Sequence, residues 1–412
     1  MDSTSRLKWT LLLLLAGIIA TGCTKKDNLT GNNWSGIDTL SVNDTLNIGF
    51  GYSYPADELT KIKGTESKLL TANQRSATSI SYLRFTGMPA STTIHSVVGD
   101  SCYIKVKLIK SSANENNPLS LSLYRVNKAL PDTIEASLAM DISPEPLATY
   151  TLSDSVSTTG KEIKFALDTG DLIPWEVEAD TLGWNLAIKV DSGWIEIASN
   201  ETVYGPKLNL RYKTSEEGSW NDLSKKADRD TYFLEAPEGI ASETWKIDNL
   251  TSTRLFIKYG LQDTLNTMFR DNNGQLLSLT DLRRMTVNKA VLVLHVKPNT
   301  NTYYTGSTSF SLYPFNVVKE NINGITNLVK ADYEQIIGTD TSNGVVEDDR
   351  LEIEITPLVQ AYSSGDKEPL GIMIQSLQER QNFGSLEFFD NLGATPPDKM
   401  PYVRIIYTPP FL

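Results

Sequence analysis

The feature that most constrains this chain is that it repeats itself: short segments of its first half recur in the same order in its second, offset by about 190 residues. Residues 102–108 match residues 290–296. Ser120-Leu121-Ser122-Leu123-Tyr124 matches Ser309-Phe310-Ser311-Leu312-Tyr313, and Leu182-Gly183-Trp184-Asn185-Leu186 matches Leu370-Gly371-Ile372-Met373-Ile374. Asp44-Thr45-Leu46 pairs with Asp230-Thr231-Tyr232, and Tyr82-Leu83-Arg84-Phe85 with Phe256-Ile257-Lys258-Tyr259. Residues 208–212 and 403–407 close the two halves. A duplicated chain builds one arrangement of elements twice, so whatever one half forms, the other is expected to form as well.

The matching segments are short, rich in β-branched and aromatic residues, and alternate apolar with polar, which is the pattern of strands with one buried face. Only residues 327–337 suggest a helical period. The expected fold is therefore all-β, with two tandem antiparallel β-sandwiches of jelly-roll type. The boundaries read from the sequence are a leader at 1–22, a tether at 23–43, a first sandwich at 44–213, a linker at 214–229 and a second sandwich at 230–412.

The leader opens with Arg6 and Lys8, continues through an apolar stretch too short to span a bilayer comfortably, and ends in Ala20-Thr21-Gly22-Cys23. That ending resembles the lipobox of bacterial lipoproteins, which implies cleavage before Cys23 and lipid on its thiol. The other cysteine, Cys102, falls on the apolar side of an alternating run and reads as a small buried group. Residues 24–43 are polar, as a solvated tether requires. Thr24 is not the aspartate linked to inner-membrane retention, so the resemblance implies the outer membrane. Lys25-Lys26-Asp27 resembles the charged surface-export signals of Bacteroidetes lipoproteins. The membrane face reached is left open.

A second resemblance is carried by Ile355-Thr356-Pro357-Leu358-Val359-Gln360-Ala361-Tyr362, then Pro369-Leu370-Gly371-Ile372, then Pro401-Tyr402-Val403-Arg404-Ile405-Ile406-Tyr407. This tail resembles that of the DNRLRE-type module, in which a Thr-x-Leu-Val-x-x-aromatic strand precedes a Gly-led strand and a closing strand ending in Tyr. The resemblance implies a jelly-roll sandwich on a secreted or surface protein, in a family with polysaccharide-binding members. The motif that names the family is absent.

Composition narrows the chemistry. A formal charge of -12 argues against nucleic acid and disfavours acidic polymers unless a basic patch is segregated on one face. Only His95 and His295 are present, too few for multi-His metal sites, and both read as surface residues, His295 at the position of Lys107 in the other half. No cofactor or metal is expected, and the acidic stretches at Asp340 and Glu347-Asp348-Asp349 lack the ligand ladder of a calcium loop.

A sugar stacks its C–H face on an exposed ring while polar neighbours bind its hydroxyls. The candidate ligand residues are accordingly Trp175, Trp194 beside Glu196, and Tyr103 on one strand face with Lys105 and Lys107. Trp184 aligns with Ile372 and is expected in the core. No catalytic spacing is visible, so the expected function is a non-catalytic lipoprotein that holds polysaccharide. The alternative is a structural or adhesive lipoprotein with a protein partner.

Overall fold

The computed structural model describes residues 42–47, 50–55, 61–62, 67–74, 77–89, 94–128, 130, 134–135, 141–167, 183–235, 244–258, 269–271, 273–298, 310–319, 332–335, 343–344, 346–347, 349–366, 371–390 and 395–410. They form an all-β, sandwich-like fold of antiparallel sheets, as the alternation predicts. The leader, Cys23, nearly all of the tether and Trp175 lie outside the described residues.

The described chain enters through β1 (Val42–Asn47) and β2 (Phe50–Pro55). Next come β3 (Lys61–Ile62), β4 (Lys68–Gln74), β5 (Ala77–Phe85), β6 (Ser96–Val97), β7 (Tyr103–Ser111), β8 (Leu119–Arg125), β9 (Ile134–Glu135) and β10 (Ala148–Leu152). They are followed by β11 (Lys161–Ala166), β12 (Trp184–Val190), β13 (Gly193–Ala198), β14 (Lys207–Lys213), β15 (Asn221–Lys226) and β16 (Arg229–Glu235). The second half holds β17 (Lys246–Asp248), β18 (Thr253–Lys258), α1 (Leu279–Leu282), β19 (Thr286–His295), β20 (Phe310–Lys319) and β21 (Asp332–Gln335). After β22 (Asn343–Gly344), β23 (Val346–Glu347) and β24 (Arg350–Glu354) come α2 (Thr356–Ser364), β25 (Ile372–Ser376), β26 (Ser385–Glu387) and β27 (Tyr402–Thr408).

Strand pairing makes the duplication concrete. The order β10-β8-β12-β5 in the first half recurs as β21-β20-β25-β18 in the second, and β11-β7-β14 recurs as β24-β19-β27. In the rows β10-β8-β12-β5, β21-β20-β25-β18 and β24-β19-β27-β1 the strand first in chain order lies beside the last, while in β11-β7-β14-β15 the first lies beside the third and the last forms the outer strand. That outer strand is where the two halves interlock. Beside β27 it is β1, from the start of the chain, and beside β14 it is β15. Likewise β2 pairs with β18, and β16 with β5.

The expected boundaries are corrected accordingly. Residues 214–229 are no bare linker, because they contain β15; residues 229–235 complete the first sheet; and residues 42–55 complete the second half's sheets. Asp44-Thr45-Leu46 is the counterpart of part of β15 rather than of Asp230-Thr231-Tyr232, which belongs to the strand equivalent to β2.

Two glycines fix the repeat register. At Gly183 (φ +71°) a Cβ would stand 2.7 Å from the Phe85 carbonyl oxygen, and at Gly371 (φ +155°) it would stand 2.9 Å from that of Ile257. Phe85 therefore matches Ile257, two residues from the expected register, which leaves the inward face unchanged.

Each half buries its own core. Cys102, Ile104, Val106 and Leu108 alternate inward on β7 and meet Ile163, Phe165, Trp184, Leu208 and Leu210, so Cys102 and Trp184 are core residues as expected. In the second half Leu292 and Leu294 meet Ile353, Ile374, Val403 and Tyr407. Each such side chain contributes about 1.5–3 kcal/mol by leaving water. The halves touch where Trp194 stacks on Phe383, with ring centroids 4.8 Å apart, and where the Tyr232 hydroxyl donates to the Arg380 carbonyl at 2.8 Å.

Two local expectations give way. The helical period over 327–337 is overturned at 332–335, which is β21 paired with β20; the rest of it that precedes β21 lies outside the described residues. Conversely, the Thr356-Pro357-Leu358-Val359 run expected as a strand is the helix α2. Pro357 is tolerated in a first turn, Leu358, Val359 and Tyr362 share one buried face, and Gly365 ends the helix in the left-handed conformation at φ +79°.

Candidate functional site

The outer face of β11-β7-β14-β15 gathers side chains far apart in sequence. Because Ile104, Val106 and Leu108 point inward, Tyr103, Lys105 and Lys107 point outward and are half-buried among their neighbours. On β14 the same alternation turns Lys207, Asn209 and Arg211 outward, and on β11 it turns out Glu162 and Lys164. The expected trio Tyr103, Lys105 and Lys107 does therefore share one open face.

Register sets what stands beside what. Lys164 lies opposite Lys105, Lys105 opposite Lys207, and Lys207 opposite Lys226, giving a row of four lysines across four adjacent strands. The next row sets Tyr103 beside Asn209 and Asn209 beside Ser224, whose hydroxyl hydrogen-bonds the Asn209 side chain at 2.9 Å. Glu162 stands opposite Lys107 and reaches Lys105 at 3.4 Å.

Aromatic rings, exposed at Tyr204 and Trp220 and half-buried at Tyr103, accompany the rows. The Lys107 ammonium sits 3.5 Å from the centre of the Tyr204 ring, and that of Lys164 sits 4.3 Å from the centre of Tyr103. Trp220 lies near Arg211 and Lys213, whose charged groups are 6.0 and 5.0 Å from its ring. Val203, Tyr204 and Trp220, 79%, 54% and 39% exposed, are half of the large hydrophobic residues exposed among those described, and Tyr204 and Trp220 pack against basic side chains of this sheet.

The loop carrying Tyr204 is held from beneath. The Asn200 amide donates to the Asp230 carboxylate at 2.5 Å, and the Lys226 ammonium donates to the Asn200 and Thr202 carbonyls, the latter at 2.8 Å. Burial pushes the Asp230 carboxyl up to about 7, against the pull of the Asn200 hydrogen bond and of Lys226.

Trp194 and Glu196 do not join this face, correcting the expectation that they point outward. Trp194 is 6% exposed and stacked on Phe383, and Glu196 is fully buried with the Lys68 ammonium 3.0 Å away. The cause is that the face of β13 bearing Trp194 is covered by the second half, whose Phe383 packs on the ring. Strand patterning assumes one wet face, and β13 has none.

His95 is exposed as expected, but His295 is 7% exposed, a correction of its surface reading. Its equivalence to Lys107 holds; what differs is the face. Val291, Val293 and His295, the counterparts of Tyr103, Lys105 and Lys107, are all buried, and burial, with Lys399 nearby, lowers the imidazole's affinity for a proton. Asp349 is committed to Lys399 at 2.8 Å, and among the described residues no three His, Cys, Asp or Glu side chains gather as a metal site.

Sequence reasoning did not single out Tyr204, Trp220, Lys164, Lys207, Arg211 or Lys226. The alternation Lys207-x-Asn209-x-Arg211-x-Lys213 marks one outward face, but only the pairing of β14 with β7 and β15 reveals what it faces.

The class these features define is an all-β, antiparallel sandwich-like protein with a duplicated strand order and one open, lysine- and aromatic-rich face. No protein-family model matches the chain, and no curated protein matches it.

Proposed function

We propose that this protein is a non-catalytic lipoprotein that holds polysaccharide on the outer face of β11-β7-β14-β15. The observation that carries the reading is the grouping of Tyr103, Tyr204 and Trp220 with Lys105, Lys107, Arg211 and Asn209 on one open sheet. The exposed rings of Tyr204 and Trp220 supply stacking surfaces for sugar C–H faces, and the lysine, arginine and amide groups supply hydrogen bonds to hydroxyls. Anchorage through lipid on Cys23, at the outer membrane, rests on the Ala20-Thr21-Gly22-Cys23 motif.

Affinity electrophoresis of the full chain, kept in non-ionic detergent, against neutral and acidic polysaccharides tests the proposal. At least one polymer is expected to retard the protein, and Trp220→Ala and Tyr204→Ala are expected to reduce the retardation while the melting temperature holds. Absence of retardation by every polymer would contradict the reading and favour a protein partner for the same exposed rings.

A further inference from the structure

The cross-strand row Lys164, Lys105, Lys207 and Lys226 is unfavourable for the fold on its own terms. Like charges directly opposite in neighbouring strands repel, and this row sets three such pairs side by side over about 14 Å, the width of three strand spacings. The sheet compensates only in part. Lys105 reaches Glu162 at 3.4 Å, Lys164 lies over the Tyr103 ring, and Lys226 is bonded to loop carbonyls. Lys207 has no ion pair among the described residues.

The duplicated half is an internal control. By the same pairings its equivalent row is Glu352, Val293, Tyr402 and Asn47, with no lysine in it. The same strand order thus folds without lysines at these positions, so folding does not account for them. A ligand that supplies negative charge does.

Resting on the polysaccharide reading above, we infer that the lysine row selects an acidic polysaccharide, one bearing carboxylate or sulfate groups, laid across the strands of the first half alone. The flanking groups favour such a glycan over nucleic acid. Tyr204 and Trp220 offer ring faces to the apolar patches between a glycan's charges, whereas duplex DNA carries a charge every ~1.7 Å and meets a chain of net charge -12 with Glu162 and Asp222 on the same face. Ammonium groups suit scattered single charges, since they bind as compact point charges rather than as planar forks.

The test uses the full chain in detergent and a matched pair of polymers, an acidic polysaccharide and the same polymer with its carboxyls reduced to alcohols, together with single-stranded DNA and anionic lipid vesicles. The acidic form is expected to bind on the order of tenfold more tightly than the reduced form and to be released by salt. The triple variant Lys105→Gln, Lys164→Gln, Lys207→Gln is expected to lose that preference while its melting temperature stays level or rises, because repulsion within the row is relieved. Lys164→Gln alone, at an exposed position, is expected to lose part of it should the triple variant fail to fold.

Equal binding of acidic and reduced polymers would overturn the lysine-row inference and leave the polysaccharide reading standing. No binding of any polysaccharide would overturn both. A preference for DNA or vesicles that the lysine variants abolish would assign the row to a different partner and overturn the inference as well.

Discussion

At the scale of single residues, burial decides what a side chain does. Asp230 is 3% exposed and its carboxyl titrates near 7 rather than at its ordinary 3.8. The folded state therefore binds more protons than the unfolded state between those values. Stability falls as pH rises through that window and levels off above it, a change on the order of a few kcal/mol. Asp230→Asn keeps an acceptor for the Asn200 amide and removes the charge, so the variant is expected to flatten this part of the stability profile and to exceed the wild type above pH 7. Urea denaturation at several pH values between 4 and 8 checks it, and an unchanged slope would show that Asp230 ionises freely in the fold. What was legible at this scale was identity without environment. Cys102 was placed correctly because the alternation leading into β7 has a single buried side, and Trp184 because it aligns with Ile372, itself buried. Trp194, Glu196 and His295 were misplaced because neighbouring structure covers the second face of their strands, and no local pattern records that.

At the scale of elements, alternation identified the strands, but pairing partners came from far along the chain. β2 lies about two hundred residues before β18 and β1 more than three hundred and fifty before β27, and each pairing is unbroken over six residues. The repeat offset suggested two consecutive units because it measures similarity between halves, whereas the halves share strands across their boundary. The helix α2 was misread because Leu358, Val359 and Tyr362 fit a short apolar run of either kind; the proline ahead of them and Gly365 behind them were the signals that favour a helix. Removal of β1 and β2 leaves the edges of β27 and β18 open. Deletion through residue 55 is therefore expected to collapse amide protection in β19, β25 and β27 while β7, β8 and β12 keep theirs, since the deleted strands pair with β27 and β18. Hydrogen exchange followed by mass spectrometry reads this directly, and equal protection of the two halves after deletion would refute the strand exchange.

At the scale of the whole molecule, duplication has given two sheets of the same order opposite fates. In one half the outward positions of the β7 face are tyrosine and lysine and remain open; in the other they are Val291, Val293 and His295 and are buried. On the proposed reading the ligand face belongs to one half, and the first and last described strands meet in the other, where β1 lies beside β27. An anchor ahead of β1 would thus attach to the half away from the lysine row. The central claim, that one half alone presents the ligand face, is tested most directly by measuring the acetylation rate of each lysine with and without an acidic polysaccharide. Lys105, Lys107, Lys164 and Lys207 are expected to be protected while Lys289 and Lys399 in the second half react as before. Protection of the second-half lysines, or of none, would contradict the account.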